Sequence, residues 1–177
     1  MSQKKEVIQR HEIADYINTG TTAEQNFALM GVGFTALGET PNAQTSTKKY
    51  INEKSSTTNV NSYQPQFDFE ADQIKDDEAV QFIYDIGRNE KTGSGCMTQY
   101  VRVELWNPIT EVPEGGGDPV VVPNTFTARL FNVAVVVSGM DGETDQIISG
   151  SLNAQGDFTD GTFNTETKTF TPSEAEG

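Results

Sequence analysis

Few side chains in this sequence are equipped for chemistry, and their spacing decides what they could do. The chain holds one histidine, His11, and one cysteine, Cys96. A histidine-based triad would have to be built around His11, in a weakly patterned N-terminal stretch, and a lone histidine near a terminus is inert far more often than catalytic. One cysteine allows no disulfide within the chain and no cysteine cluster, and with one histidine a zinc site is nearly excluded. Asp68, Glu70 and Asp72 are spaced by two, so in an extended segment their carboxylates share one side. Like charges that close could raise a pKa or hold calcium. The glycine and terminal glutamate of a calcium loop are absent, however, and a solvated strand end leading into a helix cap is the simpler reading. Lys91–Gly95, KTGSG, lacks the ordered Walker arrangement, and Gly31 and Gly33 have neither the spacing nor the lysine of a phosphate loop. No residue is therefore assigned to catalysis, to a cofactor or to a metal, and the chain is not expected to be an enzyme.

The elements that would position any site are mostly strands. The organising stretch is Thr125–Ser138, TFTARLFNVAVVVS. Phe126, Ala128, Leu130, Ala134 and Val136 line one face of a strand. On the other face Thr125, Thr127 and Arg129 are polar, whereas Phe131, Val133, Val135 and Val137 are apolar. This predicts a strand half exposed at its start and covered on both sides further along. Gly139–Gly142 signals a hairpin turn, with a weaker return strand over 144–152 in which Ile148 and Leu152 share a face. Short strands over 157–158 and 162–170 follow, with Phe163 and Phe170 as anchors on opposite faces unless a bulge intervenes.

Upstream, residues 1–26 read as an arm with a few apolar anchors, Val7, Ile8, Ile13, Tyr16 and Ile17, rather than as a core element. Phe27–Leu37 is a first strand, its glycines marking a bulge or a close backbone approach. Thr45–Asn52 reads as an edge strand and Glu53–Ser62 as a projecting polar tip. A second strand runs from Tyr63, with Phe67 and Phe69 facing one way and Gln66, Asp68 and Glu70 the other. Together 45–69 form a protruding hairpin. Asp76–Gly87 is the one convincing helix, capped by Asp76 or Asp77, with Ala79, Phe82, Ile83 and Ile86 in a single apolar stripe. Met97–Trp106 is a strand with Val101, Val103 and Leu105 inward and Tyr100, Arg102, Glu104 and Trp106 on the second face. The Pro- and Gly-rich stretch 107–123 reads as a surface loop, and 171–177 as a flexible acidic tail.

Composition bounds the partners. The formal charge is −14 with a pI near 4.3 and a mean hydropathy of −0.51. Residues 1–52 balance five acids against five bases, whereas residues 111–177 carry eleven acids and two bases. That argues against gripping nucleic acid through a basic face; the acid serves either general solubility or a surface that guides or repels a polyanion. No secretory signal and no run of 18 apolar residues occurs, so no membrane insertion is expected, and the chain is expected to stay in the cytoplasm or in something assembled there. The fold expected is mainly β: a β-sandwich or partial barrel with one flanking α-helix and a long protruding hairpin, in a single domain over 1–177.

The order of elements has a likeness among known proteins. An N-terminal arm, a Gly-bearing strand and the polar hairpin of 45–69 precede a helix opened by DDE and reading AVQFIYDIG. The strands YVRVELW and FTARLFNVAVVV follow, then the closing GDFTDGTFN. This arrangement resembles, over nearly the full length, the major tail (tail tube) proteins of bacteriophages and the tube proteins of phage-tail-like bacteriocins. The resemblance implies a virion protein, assembled in the host cytoplasm, whose copies form rings of six. Their inner strands close into a continuous barrel, and the rings stack into a tube that conducts DNA. It further implies contact with a tape measure protein, a tail terminator, a baseplate or tip and, in contractile tails, a sheath. DNA would pass transiently without specific binding. Two other readings stand beside it: an acidic sandwich that binds carbohydrate or protein, alone or in another virion component, and a small enzyme.

Overall fold

The structure, a computed structural model, describes residues 5–174. Its elements in chain order are β1 (Ile13–Asn18), β2 (Phe27–Leu29), β3 (Phe34–Thr40), β4 (Ala43–Lys48), β5 (Thr57–Tyr63), β6 (Gln66–Asp72), α1 (Glu78–Arg88), β7 (Met97–Glu111), β8 (Val120–Asp141), β9 (Ile147–Ala154), β10 (Thr159–Asn164) and β11 (Thr169–Pro172). The main sheet runs β2-β1-β7-β8-β9-β6-β3, with β10 joined to β8 and β11 to β10, and all its ladders are antiparallel. β4 and β5 form a separate two-stranded sheet. The fold is mainly β, a curled partial barrel with one flanking helix.

The curl follows from connectivity. β2 and β3 lie at opposite ends of the strand order, yet only residues 30–33 join them, a link that reaches under about 20 Å. Gly33 makes the turn at φ +87°, and a Cβ there would lie 2.7 Å from Ile74 Cδ1, so the tight approach requires glycine. The two halves of the curled sheet meet over one core. Phe67 of β6 packs on Tyr100 of β7 and Phe131 of β8, with ring centroids 4.5 and 4.9 Å apart. A second core lies on the other face of β1, β7 and β8, where Tyr16, Phe27, Val101, Val103, Ala128, Leu130 and Phe163 cluster.

α1 closes the first core. Asp77 caps it, accepting from the Val80 N–H at 3.0 Å, as its short polar side chain and position ahead of the apolar stripe predict. The buried stripe is Ala79, Val80, Ile83 and Ile86. Phe82, expected in it, is half-buried at the margin. Val80, Ile83 and Ile86 each contribute about 1.5–3 kcal/mol by their burial. Gly87 lets the helix sit against β8, since a Cβ there would fall 2.8 Å from Val137 Cγ1.

Several expectations need correction. Within the expected arm of 1–26, residues 13–18 are instead a strand between β2 and β7, with Tyr16 in the second core and Ile17 in the first. Burial on both faces erased the alternation that would have marked it. The expected strand 27–37 is broken at Gly31–Gly33. The strand opposite β4 begins at Thr57, not Tyr63, and ends before Pro65, so the hairpin covers 43–63 rather than 45–69. The expected loop 107–123 shrinks to 112–119, because bulges near Pro108 let β7 and β8 stay paired out to Glu111 and Val120. β8 runs on through a bulge to Asp141, past the expected turn at Gly139. Its doubly buried part is the middle, Ala128 and Leu130–Phe131, while Val136, expected to be covered, is 43% exposed. Phe163 and Phe170 face each other across the β10–β11 hairpin rather than lying on one strand. Of the expected tail 171–177, Thr171 and Pro172 are paired in β11, and 175–177 lie outside the described residues, as do residues 1–4 of the expected arm.

Candidate functional site

Asp68, Glu70 and Asp72 lie where their spacing predicts, on one exposed face of β6, with Phe67, Phe69 and Ala71 buried on the other. Register then builds a surface around them. Gln66 sits between Asn153 and Thr40, Asp68 between Ser151 and Gly38, and Glu70 between Ser149 and Ala36. β8 extends the rows, Ala134 beside Asn153 and Val136 beside Ser151. Apart from the exposed Val136, the outward face of β8-β9-β6-β3 is thus small, hydroxylic, amide or acidic, and none of these residues is Lys, Arg or His. Its polar groups satisfy one another: Gln66 Nε2 donates to Asp68 Oδ1 at 2.6 Å, and Asn153 Nδ2 to Ser151 Oγ at 3.2 Å. Gly150 keeps β9 tight against β8, since a Cβ there would lie 1.9 Å from the Val136 carbonyl oxygen.

This four-stranded layer has an open edge on either side. β3 pairs with β6 and, among the described residues, has no strand on its far side. On that side Arg10 Nη2 donates to the Leu37 carbonyl at 3.2 Å, and a cavity of about 700 Å³ separates Thr35–Leu37 from Gln9, His11, Ile13 and Leu105. At the other edge β7 begins at Met97, opposite Ala134, so Val135–Asp141 has no partner on that side. A groove of about 440 Å³ follows Val135–Val137 past Gly87, Lys91 and Cys96. Neither edge strand offers Lys, Arg or Pro outward, the usual protections against edge pairing.

Beneath the layer, charges hold β3 to the rest of the barrel. Asp15, 1% exposed, accepts from the Tyr100 hydroxyl and from Arg10 Nη2 at 2.7 Å, with Arg102 Nη1 at 3.8 Å. Arg129 grips Glu39 of β3 through two bonds of 2.9 and 2.8 Å, and Arg102 Nε lies 3.8 Å from the same carboxylate. The Arg129 guanidinium also lies over the Phe131 and Phe158 rings, 5.3 and 5.4 Å from their centroids. Burial pushes the Tyr100 hydroxyl well above its ordinary pKa, and the Asp15 charge pushes it further. The Glu39 bonds raise Arg129. This interior network was missed in the sequence, where Arg129 was placed among the polar residues of its strand and Arg102 on the second face of its own. The available signal was a charge set inside an apolar strand, as in VRV at 101–103.

The other chemical candidates do not converge. His11 is exposed in a 3-10 turn, Arg10–Glu12, and Cys96 is half-buried at the end of another, donating to the Gly93 carbonyl at 3.2 Å. Among the described residues no group of three His, Cys, Asp or Glu side chains is placed to hold a metal ion, and no helix is long and apolar enough to cross a membrane.

No protein-family model matches the chain, and no curated protein does. Solved structures do. A chain of the anti-feeding prophage baseplate, six-fold symmetrised, superposes with a TM-score of 0.51 at 13% identity, covering 89% of this chain and 97% of that one. A chain from the tail of an empty GTA particle with C6 symmetry gives 0.52 at 9% identity, covering 86% and 98%. Both are parts of phage-tail-like particles, so the resemblance read from the sequence is matched at the level of fold: the chain folds as these tail and baseplate chains do.

Proposed function

We propose that this chain is a structural component of a phage-tail-like particle that assembles with copies of itself, as rings of six, into the tail tube. The observation that carries the reading is the β8-β9-β6-β3 layer, polar and free of cations on one face and unpaired at both edges. Successive strands alternate in direction, so the β3 edge of one copy meets the Val135–Asp141 edge of the next antiparallel. Such a contact joins two different surfaces and closes when the rotation per copy divides a circle. The outward face of the layer then lines a channel. Asp68, Glu70 and Asp72 repel phosphates and the hydroxyl and amide rows hold water, so DNA slides without being gripped. The six-fold symmetry of the particles that hold both structural relatives supports the ring size. Other tail proteins would meet the ends of the stack, and the particle would be assembled in the host cytoplasm.

The baseplate origin of one relative favours a second reading, in which the chain forms a terminal ring rather than the long tube. Negative-stain microscopy of the concentrated protein decides between them. Hollow tubes support the tube, single rings that never lengthen support the baseplate, and featureless particles under every condition defeat both.

A further inference from the structure

We infer that Arg10 latches the ring-forming edge of the free subunit: its guanidinium caps the Leu37 carbonyl of β3, and the strand of a second copy has to displace it before a ring can close. The inference rests on the ring-forming reading above and names what restrains it. Hydrogen-bond directions fix which backbone groups of β3 stand open. The Asp72 N–H donates to the Gly33 carbonyl and the Gln73 N–H to the Gln146 carbonyl, both at 2.8 Å, while the Ala154 N–H donates to the Pro65 carbonyl at 3.0 Å. Even-numbered residues of β6 therefore turn their backbone groups to β3 and odd-numbered ones to β9. Register pairs Glu70 with Ala36, Asp68 with Gly38 and Gln66 with Thr40. Those three residues of β3 bond to β6, which leaves the N–H and C=O groups of Leu37 and Glu39 on the free edge.

Arg10 occupies this edge from outside the strand. Its Nη2 divides its two N–H groups between Asp15 Oδ2 at 2.7 Å and the Leu37 carbonyl at 3.2 Å, and Nη1 donates to the Ile13 carbonyl at 2.9 Å. A ladder bond sets the next strand's nitrogen about 2.9 Å from the same oxygen, so the guanidinium stands where that amide belongs. The turn that carries Arg10 is braced, with the Gln9 N–H donating to Glu12 Oε2 at 2.5 Å and the Glu12 N–H to the Gln9 carbonyl at 3.0 Å. The cavity of about 700 Å³ beside Thr35–Leu37 gives room for part of a strand once the side chain swings out. Swinging is open to it: the Arg10 side chain is 53% exposed, and Asp15 keeps Tyr100 and Arg102 when it leaves. β3 has no lysine, arginine or proline of its own, so Arg10 supplies the protection the edge lacks. Unlike a proline built into the strand, a cap carried on another segment can leave, so the edge is guarded in the free subunit and usable in the ring.

Arg10→Met tests this, since it keeps the aliphatic stem and removes every donor. The ion pair it loses is half exposed, so melting of the free subunit by circular dichroism should shift little. Sedimentation over a concentration series, with negative stain to identify ordered particles, should show R10M forming rings or tubes at a concentration about three- to tenfold lower than wild type, the worth of one hydrogen bond at the edge. A reconstruction of the wild-type assembly should show the Leu37 carbonyl accepting from a backbone N–H of the neighbouring copy, with the Arg10 guanidinium off it. A folded R10M that needs as much protein as wild type, or more, overturns the latch and leaves the ring standing, as does a wild-type ring in which Arg10 still sits on Leu37. If neither protein forms rings or tubes at any concentration, the ring-forming reading fails and the latch with it, whereas assembly by R10M alone supports both.

Discussion

Replacing Asp15 by alanine removes the carboxylate on which three other residues converge, and the structure sets the size of the loss. Asp15 is 1% exposed and accepts from the buried Tyr100 hydroxyl, which loses this bond when the carboxylate is gone. A buried hydroxyl left without a partner costs about 1–3 kcal/mol. Arg102, whose Nη1 already lacks a hydrogen-bond partner, loses its nearest interior anion on that side and keeps only Glu39 at 3.8 Å. Breaking a buried pair from one side costs about 3–5 kcal/mol. The Arg10 contact adds little, because that side chain is half exposed. These contributions overlap, and a total near 4 kcal/mol is expected, or about 10 °C in melting temperature for a chain of this length. Urea unfolding of D15A, Y100F and the double variant measures it. Y100F alone should cost about 1.5 kcal/mol, and far less when added to D15A, because the partner is already absent. A D15A protein within 1 kcal/mol of wild type, or strictly additive losses, would refute the view that this network ties β1 and β7 together.

Stability should also respond to alkali. A tyrosine with a folded pKa raised above the unfolded value, 10.0, stabilises the fold fully below that value and loses its contribution as pH climbs toward the folded one. Denaturation midpoints should therefore hold up to about pH 10 and then fall by up to 1.4 kcal/mol per pH unit for Tyr100, with Y100F flattening the decline; an unchanged slope in Y100F would assign the effect elsewhere. Gly150→Ala should cost about 3 kcal/mol or more in urea unfolding, since its Cβ would meet the Val136 carbonyl at 1.9 Å and the Phe69 ring at 3.1 Å, and a neutral result would mean that β8 and β9 separate easily.

Much of this architecture was legible, and what escaped did so for physical reasons. Asp76 or Asp77 ahead of an apolar stripe announced α1, and alternation of Phe67 and Phe69 with Asp68 and Glu70 announced both faces of β6. β1 escaped because Tyr16 and Ile17 are adjacent and both buried, one in each core, which imitates a helical turn. The β7–β8 arm escaped because Pro108 signals a loop, although bulges on either side let the strand continue. In the candidate site the acids of β6 were readable. Their neighbours were not, because Ser149, Gly150 and Ser151 carry no pattern until register sets them beside Glu70, Phe69 and Asp68. The open edges were not readable residue by residue, since they are defined by where β7 stops and by which strand ends the order.

Image reconstruction of the assembled protein by electron cryomicroscopy, at a resolution that separates strands, tests the central claim most directly. β3 of each copy should run antiparallel beside Val135–Asp141 of its neighbour, with Asp68 and Glu70 turned into the channel and α1 behind the wall. Strands left unpaired at those two edges in a closed ring, or a channel lined by the helix side, would contradict it.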